Sequence, residues 1–359
     1  MVVEPVTRLS LFPLESEINA LGHLVIGGCD TVALAKEFGT PLYVFDEFSL
    51  RSKCAEFKAE YGRRYADITV VYACKAFVNK TLLQMFREEG LGLDVVSGGE
   101  LGIARSAGFP LEKVYFHGNN KSAEELGLAL DWGVGRVVVD NFHELKMLGE
   151  MAQQRGRVAD ILLRLSPGID PHTHRYITTG NIDSKFGIPL VSAEEAVTRA
   201  MAMPGLNLIG LHFHIGSLIF EMEPYQQAIE VTIDFAAKMR EKHGFELKEL
   251  NVGGGVAIQY SLDSPALPVS TYAETIVAKI KSQCSKSGLP LPRLVVEPGR
   301  SIVGRAGVAL YTAGVVKDIP GIRRYVSVDG GMADNIRPAL YGSKQEAVIA
   351  NKMREEDTE

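Results

Sequence analysis

Between residues 40 and 305 the chain alternates eight short β-rich runs with longer helical stretches, and this alternation constrains the fold more than any other feature. The runs are ITVVYACKA (68–76), LGLDVVSGG (91–99), KVYFHGN (113–119), GRVVVDN (135–141), ADILLRLSPG (159–168), LNLIGLHFHIGS (206–217), LKELNVGGG (247–255) and RLVVEPGR (293–300). Most hold four to six apolar or β-branched residues and then a Gly, Ser, Asn or charged residue, as a strand buried on both faces does where it opens into a functional loop. Intervening stretches such as NKTLLQMFREEG and SAEELGLALDWG have helical periodicity and end in glycine. Eight such units predict a (β/α)8 barrel, although a doubly wound sheet shares the local pattern. The placement of unusual residues favours the barrel. Lys75, His117, Arg164, His214, the Gly253–Gly255 run and Glu297 all fall at or just past the C-terminal ends of runs, and a closed barrel gathers those ends around one mouth.

The flanks read differently. VTRLSLFPL, HLVIGG and PLYVFD near the start are strand-like, as are AGVALYTAGVVKDI and RRYVSVDGG after residue 305. Residues 1–45 and 306–359 are therefore expected to form two parts of a second, β-rich domain around a barrel of residues 46–305. The formal net charge is -6, with 23% charged residues mixed along the chain, so no dense basic face points to nucleic acid. Cys29, Cys54, Cys74 and Cys284 are scattered without C-x-x-C or zinc spacing, the usage of buried thiols in a reducing compartment. No signal pattern opens the chain, and no apolar run approaches the roughly 18 residues needed to span a bilayer. The expectation is a cytoplasmic protein with no membrane partner.

Four constellations carry chemistry. Lys75, in VVYACKAF, is either a strand-end lysine reaching for water or a Schiff-base lysine whose ammonium pKa falls on desolvation. Strand alternation would put Cys74 on the opposite face, as packing. NVGGGVAI sets Gly253, Gly254 and Gly255 in succession; one glycine suffices for a turn, and three allow a backbone to approach an anion and aim N–H groups at it. The run favours a phosphate cradle, to which Ser217 would add a hydroxyl donor. Glu297 and Arg300, in VVEPGRSIVG, are a surface ion pair or a carboxylate that keeps a pyridine nitrogen protonated. His212 and His214 form an H-x-H whose side chains would share a strand face. They read as a structural pair, as metal ligands with His117 and Asp140 in support, or as an imidazole stacked on a flat ring.

VVYACKAF, HFHIGS, NVGGGV, VVEPGR and DGGMADNIRPALYG occur in the order and spacing of the fold-type III pyridoxal-phosphate decarboxylases, which the chain resembles from about residue 20 to about residue 350. FHGNNKS (116–122) and GIDPHTHRYITTGNIDSKFG (168–187) are similar to the diaminopimelate branch of that family. The resemblance implies an alanine-racemase-like barrel plus a β domain, a homodimer with shared active sites, pyridoxal 5'-phosphate as cofactor, no metal, and decarboxylation of the amino acid meso-2,6-diaminopimelate to L-lysine. It implies that Lys75 holds the cofactor covalently, that His214 stacks on its ring and that Glu297 meets the ring nitrogen. Ser217, Gly253, Gly254, Gly255 and the backbone of Pro298, Gly299 and Arg300 are implied to hold the phosphate. Arg300, Arg337 and Tyr341 match positions that bind substrate carboxylates. Asp94, Arg164 and His117 match positions that line the cofactor side of the mouth in that family, and His172, His174 and Lys185 match its substrate-side loop.

Against the family pattern, the chain stops before a segment with a Cys-Glu-Ser-x-Asp motif and a later tyrosine, which reach an active site in the homodimer. The sequence-based expectation is thus an incomplete β domain, from a fragment or from a decayed or repurposed homologue. Two other functions stay open at this stage: a non-catalytic homologue regulating a partner subunit, and a metal-dependent barrel hydrolase built on His212 and His214.

Overall fold

The computed structural model describes residues 9–169, 184–263 and 266–355. Two compact units emerge, one of Lys53–Ala257 with Leu267–Ser301 and one of Met1–Ser52, Ile258–Ala266 and Ile302–Glu359.

In the first unit the eight runs become eight parallel strands: β1 (Ile68–Ala73), β2 (Gly92–Val95), β3 (Val114–Phe116), β4 (Arg136–Val139), β5 (Ala159–Ser166), β6 (Leu206–His212), β7 (Glu249–Asn251) and β8 (Arg293–Val296). Each pairs with its sequence neighbours, and β8 closes on β1 with Leu294 opposite Ile68. The β4–β5 pairing, Val137 opposite Ile161, completes the ring. Parallel neighbours need a crossover, and helices supply it. Val71, Tyr115, Val138, Leu162, Ile209 and Val295, from six strands, form one buried cluster. On β1 the next residue, Tyr72, packs instead on Phe86 of the helix Lys80–Glu88, with ring centroids 4.2 Å apart.

Polar residues after the strands start the helices. Asn79, Ser97 and Asn141 each accept a backbone N–H of the first turn that follows. Ser122 and Glu125 form a reciprocal capping box on Ala123–Trp132, which ends on left-handed Gly133.

The second unit takes residues from both ends of the chain. Leu24, Ile26 and Met353 centre a small core, with Leu9, Phe12, Ile18, Val44, Val308, Val348 and Ala350 packed around it. Leu42–Phe45 pairs antiparallel with Gly307–Leu310, and Ala313–Ile319 with Arg323–Val328. The first strand-like flank differs from expectation. In its described part, Leu9–Leu11 is a 3-10 turn, and Phe12 N closes it on Leu9 O. Among the described residues, no helix is long and apolar enough to cross a membrane.

Candidate active site

The strands stop short of the chemistry. β1 ends at Ala73, and Lys75 sits in the single 3-10 turn Cys74–Ala76. Lys75 Nζ donates to Asp94 Oδ2 at 2.9 Å, and Asp94, on β2, is fully buried. Burial pulls the ammonium's proton affinity down, but Asp94 and then Glu297 outweigh it and hold the amine above the ordinary lysine range. One of the two sequence readings had desolvation lowering this amine; the two carboxylates that turn the shift the other way arrive from other strands, and a short apolar strand says nothing of them. Cys74 also leaves the strand, so alternation does not place it. It is nonetheless buried, and burial pushes its thiol well up.

Glu297 lies just past β8 and is buried. Asn251 Nδ2, at the end of β7, donates to Oε1 at 2.6 Å. His117 Nε2, just after β3, lies 2.8 Å from the same oxygen, and His212 Nε2, at the end of β6, lies 3.3 Å from Oε2. The two imidazoles meet edge to face, centroids 4.9 Å apart. Burial alone would favour the neutral acid, yet His117 and His212 hold the carboxyl well below its usual range. His212 is itself driven down to about 4 by burial, so near neutral pH it acts on Glu297 as a hydrogen-bond donor and not as a cation.

The H-x-H does not behave as a pair. β6 ends at His212, so strand alternation no longer governs His214. His212 turns to Glu297, while His214 Nδ1 accepts from Gly254 N at 3.2 Å. Burial, with Lys75 and Arg164 nearby, holds His214 well below the usual histidine range. Asp140, the other residue offered as a ligand, is engaged elsewhere: Oδ2 accepts from Gly187 N at 3.0 Å and Oδ1 lies 3.5 Å from Arg164.

Close backbone approach requires the glycine run. A Cβ on Gly254 would lie 2.1 Å from Glu297 O, and one on Gly253 2.7 Å from Phe213 O. Gly253 and Gly255 also have φ of +70° and +108°, which L side chains rarely adopt. The run is not a plain fan of amides: Gly253 N donates to Asn251 Oδ1 at 2.9 Å and Gly254 N to His214. Ile219 N donates to Gly255 O, tying the loop that carries Ser217 to the run. Ala73 N donates to Pro298 O at 3.0 Å, and a Cβ on Gly299 would meet that of Ala73 at 3.0 Å. The segment Pro298–Arg300 is thus held beside the turn of Lys75. Arg337 and Tyr341 belong to the other unit. There the Arg337 guanidinium lies 5.1 Å from the centre of the Tyr341 ring and 5.7 Å from that of Tyr260.

Sequence reasoning missed a buried pair. Lys121 Nζ donates to Glu144 Oε1 at 2.6 Å and to the carbonyls of Gly118 and Val138 at 2.8 Å each. Glu144 Oε2 accepts from Asp140 N. Part of the FHGNNKS likeness therefore reflects a structural lock between the ends of β3 and β4. Nothing local betrays it, because the glutamate is 23 positions away. Asn251 was within reach of sequence reasoning, being two positions before the glycine run. Lys185 has its ammonium 5.1 Å over the Phe186 ring, and its carbonyl accepts from Asn119 Nδ2. His172 and His174 lie outside the described residues.

The donor set fits pyridoxal phosphate. A primary amine, a buried carboxylate kept anionic, a neutral imidazole and a Cβ-free backbone stand at the strand ends of one barrel, the combination that pyridoxal-dependent enzymes of this fold require. Comparison agrees at the level of class: the pyridoxal binding domain of the pyridoxal-dependent decarboxylases matches residues 48–304. Diaminopimelate decarboxylase of Halalkalibacterium halodurans is 46% identical over 343 residues, 95% of this chain and 78% of that protein. The Bacillus subtilis enzyme is 46% identical over 342 residues, with the same coverage. The crystal structure of diaminopimelate decarboxylase from M. jannaschii in complex with L-lysine superposes with a TM-score of 0.86 at 33% identity, covering 92% of this chain and 76% of that one. The chain belongs to the diaminopimelate decarboxylase family.

Proposed function

We propose that this protein decarboxylates meso-2,6-diaminopimelate to L-lysine and carbon dioxide with pyridoxal 5'-phosphate, the last step of lysine biosynthesis. The observation that carries the reading is Lys75, a primary amine bonded to buried Asp94 and close enough to Glu297 for that carboxylate to stabilise its charge. The substrate follows from relatives 46% identical over 95% of the chain. When bound, the cofactor supplies an aldehyde for covalent capture of amines and a protonated ring that accepts the electron pair left by carbon dioxide.

The chain's own residues have the following parts. Lys75 supplies the amine, and must release a proton before it attacks, because Asp94 and Glu297 favour its charged form. Glu297 remains an anion and keeps the ring nitrogen protonated. His214 offers a flat, neutral face. Gly253, Gly254, Gly255, Ser217 and the backbone of Pro298, Gly299 and Arg300 hold the phosphate. Arg300, Arg337 and Tyr341 take the substrate carboxylates, where charge-assisted hydrogen bonds suit a planar guanidinium. The reading includes a homodimer with shared active sites and a cytoplasmic location.

The test is carbon dioxide and L-lysine release from meso-diaminopimelate by the folded protein supplied with cofactor, alongside borohydride reduction and peptide mapping. Stoichiometric products and a label on Lys75 are expected. A label on another lysine, or no product from loaded protein, refutes the reading.

A further inference from the structure

Glu297 is enclosed in an uneven way. A carboxylate offers about four acceptor positions. At Oε1, Asn251 Nδ2 donates at 2.6 Å and His117 Nε2 stands 2.8 Å away, though not aligned as a hydrogen bond. Among the described residues Oε2 meets only His212 Nε2, at 3.3 Å. His117 Nε2 is also 3.8 Å from Asp94 Oδ1, so its ring separates two carboxylates that would otherwise repel. His212 Nδ1 has no hydrogen-bond partner among the described residues. A proton there would be a buried donor without an acceptor, which assigns the proton to Nε2, facing Glu297.

We infer that His117, His212 and Asn251 are positioning residues that hold Glu297 anionic: Asn251 and His117 close Oε1, while His212 steadies Oε2 and leaves that oxygen's remaining acceptor position for the cofactor's ring nitrogen. The inference rests on the cofactor reading above. The physical need is plain: a carboxylate buried without partners takes up a proton, and a protonated Glu297 could not keep a ring nitrogen charged. The charged and titratable groups facing this carboxylate are Lys75 from the end of β1, Asp94 on β2, His117 after β3, Arg164 on β5 and His212 and His214 at the end of β6. Lys75 and Arg164 favour the anion and Asp94 opposes it. The cations point the same way as His117, His212 and Asn251 but belong to other strands, so those three can be replaced without touching them.

Two measurements on cofactor-free protein test this. Nitrogen-15 spectra of histidine-labelled protein at pH 7 should show His212 neutral with its proton on Nε2; a proton on Nδ1 overturns the assignment. Infrared difference spectra against Glu297→Gln should show no protonated carboxylic band in the wild type at pH 6. The same comparison should show one in His117→Phe/His212→Phe, with Glu297→Gln added to each background as reference. Absence of that band in the folded double variant overturns the inference, and if that variant does not fold the nitrogen spectra still decide. In holoprotein, His212→Phe should weaken cofactor affinity about tenfold, the low end for a hydrogen bond to a charged group. His212→Gln, which keeps an N–H donor, should restore most of it, and equal loss in both variants counts against a donor role. Borohydride labelling of Lys75 in the wild type tests the cofactor reading separately, so the two can fail independently.

Discussion

Lys75 Nζ lies 2.9 Å from Asp94 Oδ2, and the two ends of that pair sit in different surroundings: the lysine side chain keeps 50% of its surface open although packed protein around the amine desolvates it, and the carboxylate has 0%. The exposed end can leave to react, while the buried end stays where β2 fixes it. Asp94 therefore sets the charge of the amine before any cofactor arrives.

Replacing that carboxylate should change when Lys75 loses its proton. A lysine raised in the folded state adds stability that is complete below its unfolded value, near pH 10.4, and fades as pH rises through the folded value. In Asp94→Asn, only Glu297 among the stabilising partners still opposes the downward pull of burial, so the amine should deprotonate at lower pH than in the wild type. Trace acetylation of Lys75 in cofactor-free protein, read by mass spectrometry across pH 7–11, should show its midpoint move down. An unmoved midpoint would mean that Asp94 does not govern the amine.

The glycine run should tolerate no side chain at its centre. In Gly254→Ala the new Cβ would meet Glu297 O at 2.1 Å, and overpacking of this kind costs about 1–3 kcal/mol. The displaced backbone is that of Glu297 itself, so cofactor affinity should fall along with stability. Gly102→Ala is the contrasting case, inside the helix Gly98–Ser106 with nothing within 4 Å of the new Cβ. It should stabilise by about 0.5–1 kcal/mol. Urea unfolding of both variants checks the pair, and a neutral Gly254→Ala would show that the loops yield.

These sites show where sequence reasoning reached and where it stopped. Strand existence was legible, because eight apolar runs bounded by polar residues repeat at a barrel's spacing. Strand ends were not: Lys75 and His214 both read as strand residues, yet β1 and β6 stop at Ala73 and His212. Period-two alternation was therefore extended past its range: it reached buried Cys74 by an argument that does not apply to a 3-10 turn, and it paired His212 with His214. The placement of Glu297 at a strand end was legible from VVEPGR, and its central role only from the family resemblance. Its three partners were not, since His117, His212 and Asn251 arrive from three other strands and no local pattern links them. Lys121 illustrates the same limit, a lysine that composition assigns to the surface and the fold encloses.

Arg337→Ala should separate substrate binding from cofactor binding. Charge-assisted hydrogen bonds to a carboxylate contribute about 1.5–3 kcal/mol, or roughly 10- to 150-fold in kcat/KM for meso-diaminopimelate. Cofactor affinity, measured by absorbance titration, should change little. A variant that loses the cofactor and keeps its substrate affinity would remove Arg337 from the substrate side.

Lys121 and Glu144 hydrogen-bond to no proposed catalytic residue and still shape the mouth through Asp140. Lys121 is satisfied by three acceptors, and its partner Glu144 holds Asp140 N at 3.0 Å. Asp140 in turn anchors Gly187 and faces Arg164. Lys121→Met keeps volume but strands a buried carboxylate, and breaking a buried pair on one side costs about 3–5 kcal/mol. Glu144, already pushed up by burial, should respond by taking a proton, so the loss should shrink as pH falls toward 5. Lys121→Met/Glu144→Gln removes the stranded charge and should recover part of the loss at pH 7.5. Urea denaturation of both variants at pH 5 and 7.5 decides it: a single-variant loss independent of pH would place the cost in packing alone, and no recovery in the double variant would show that the lysine's bonds to Gly118 and Val138 matter more than its charge.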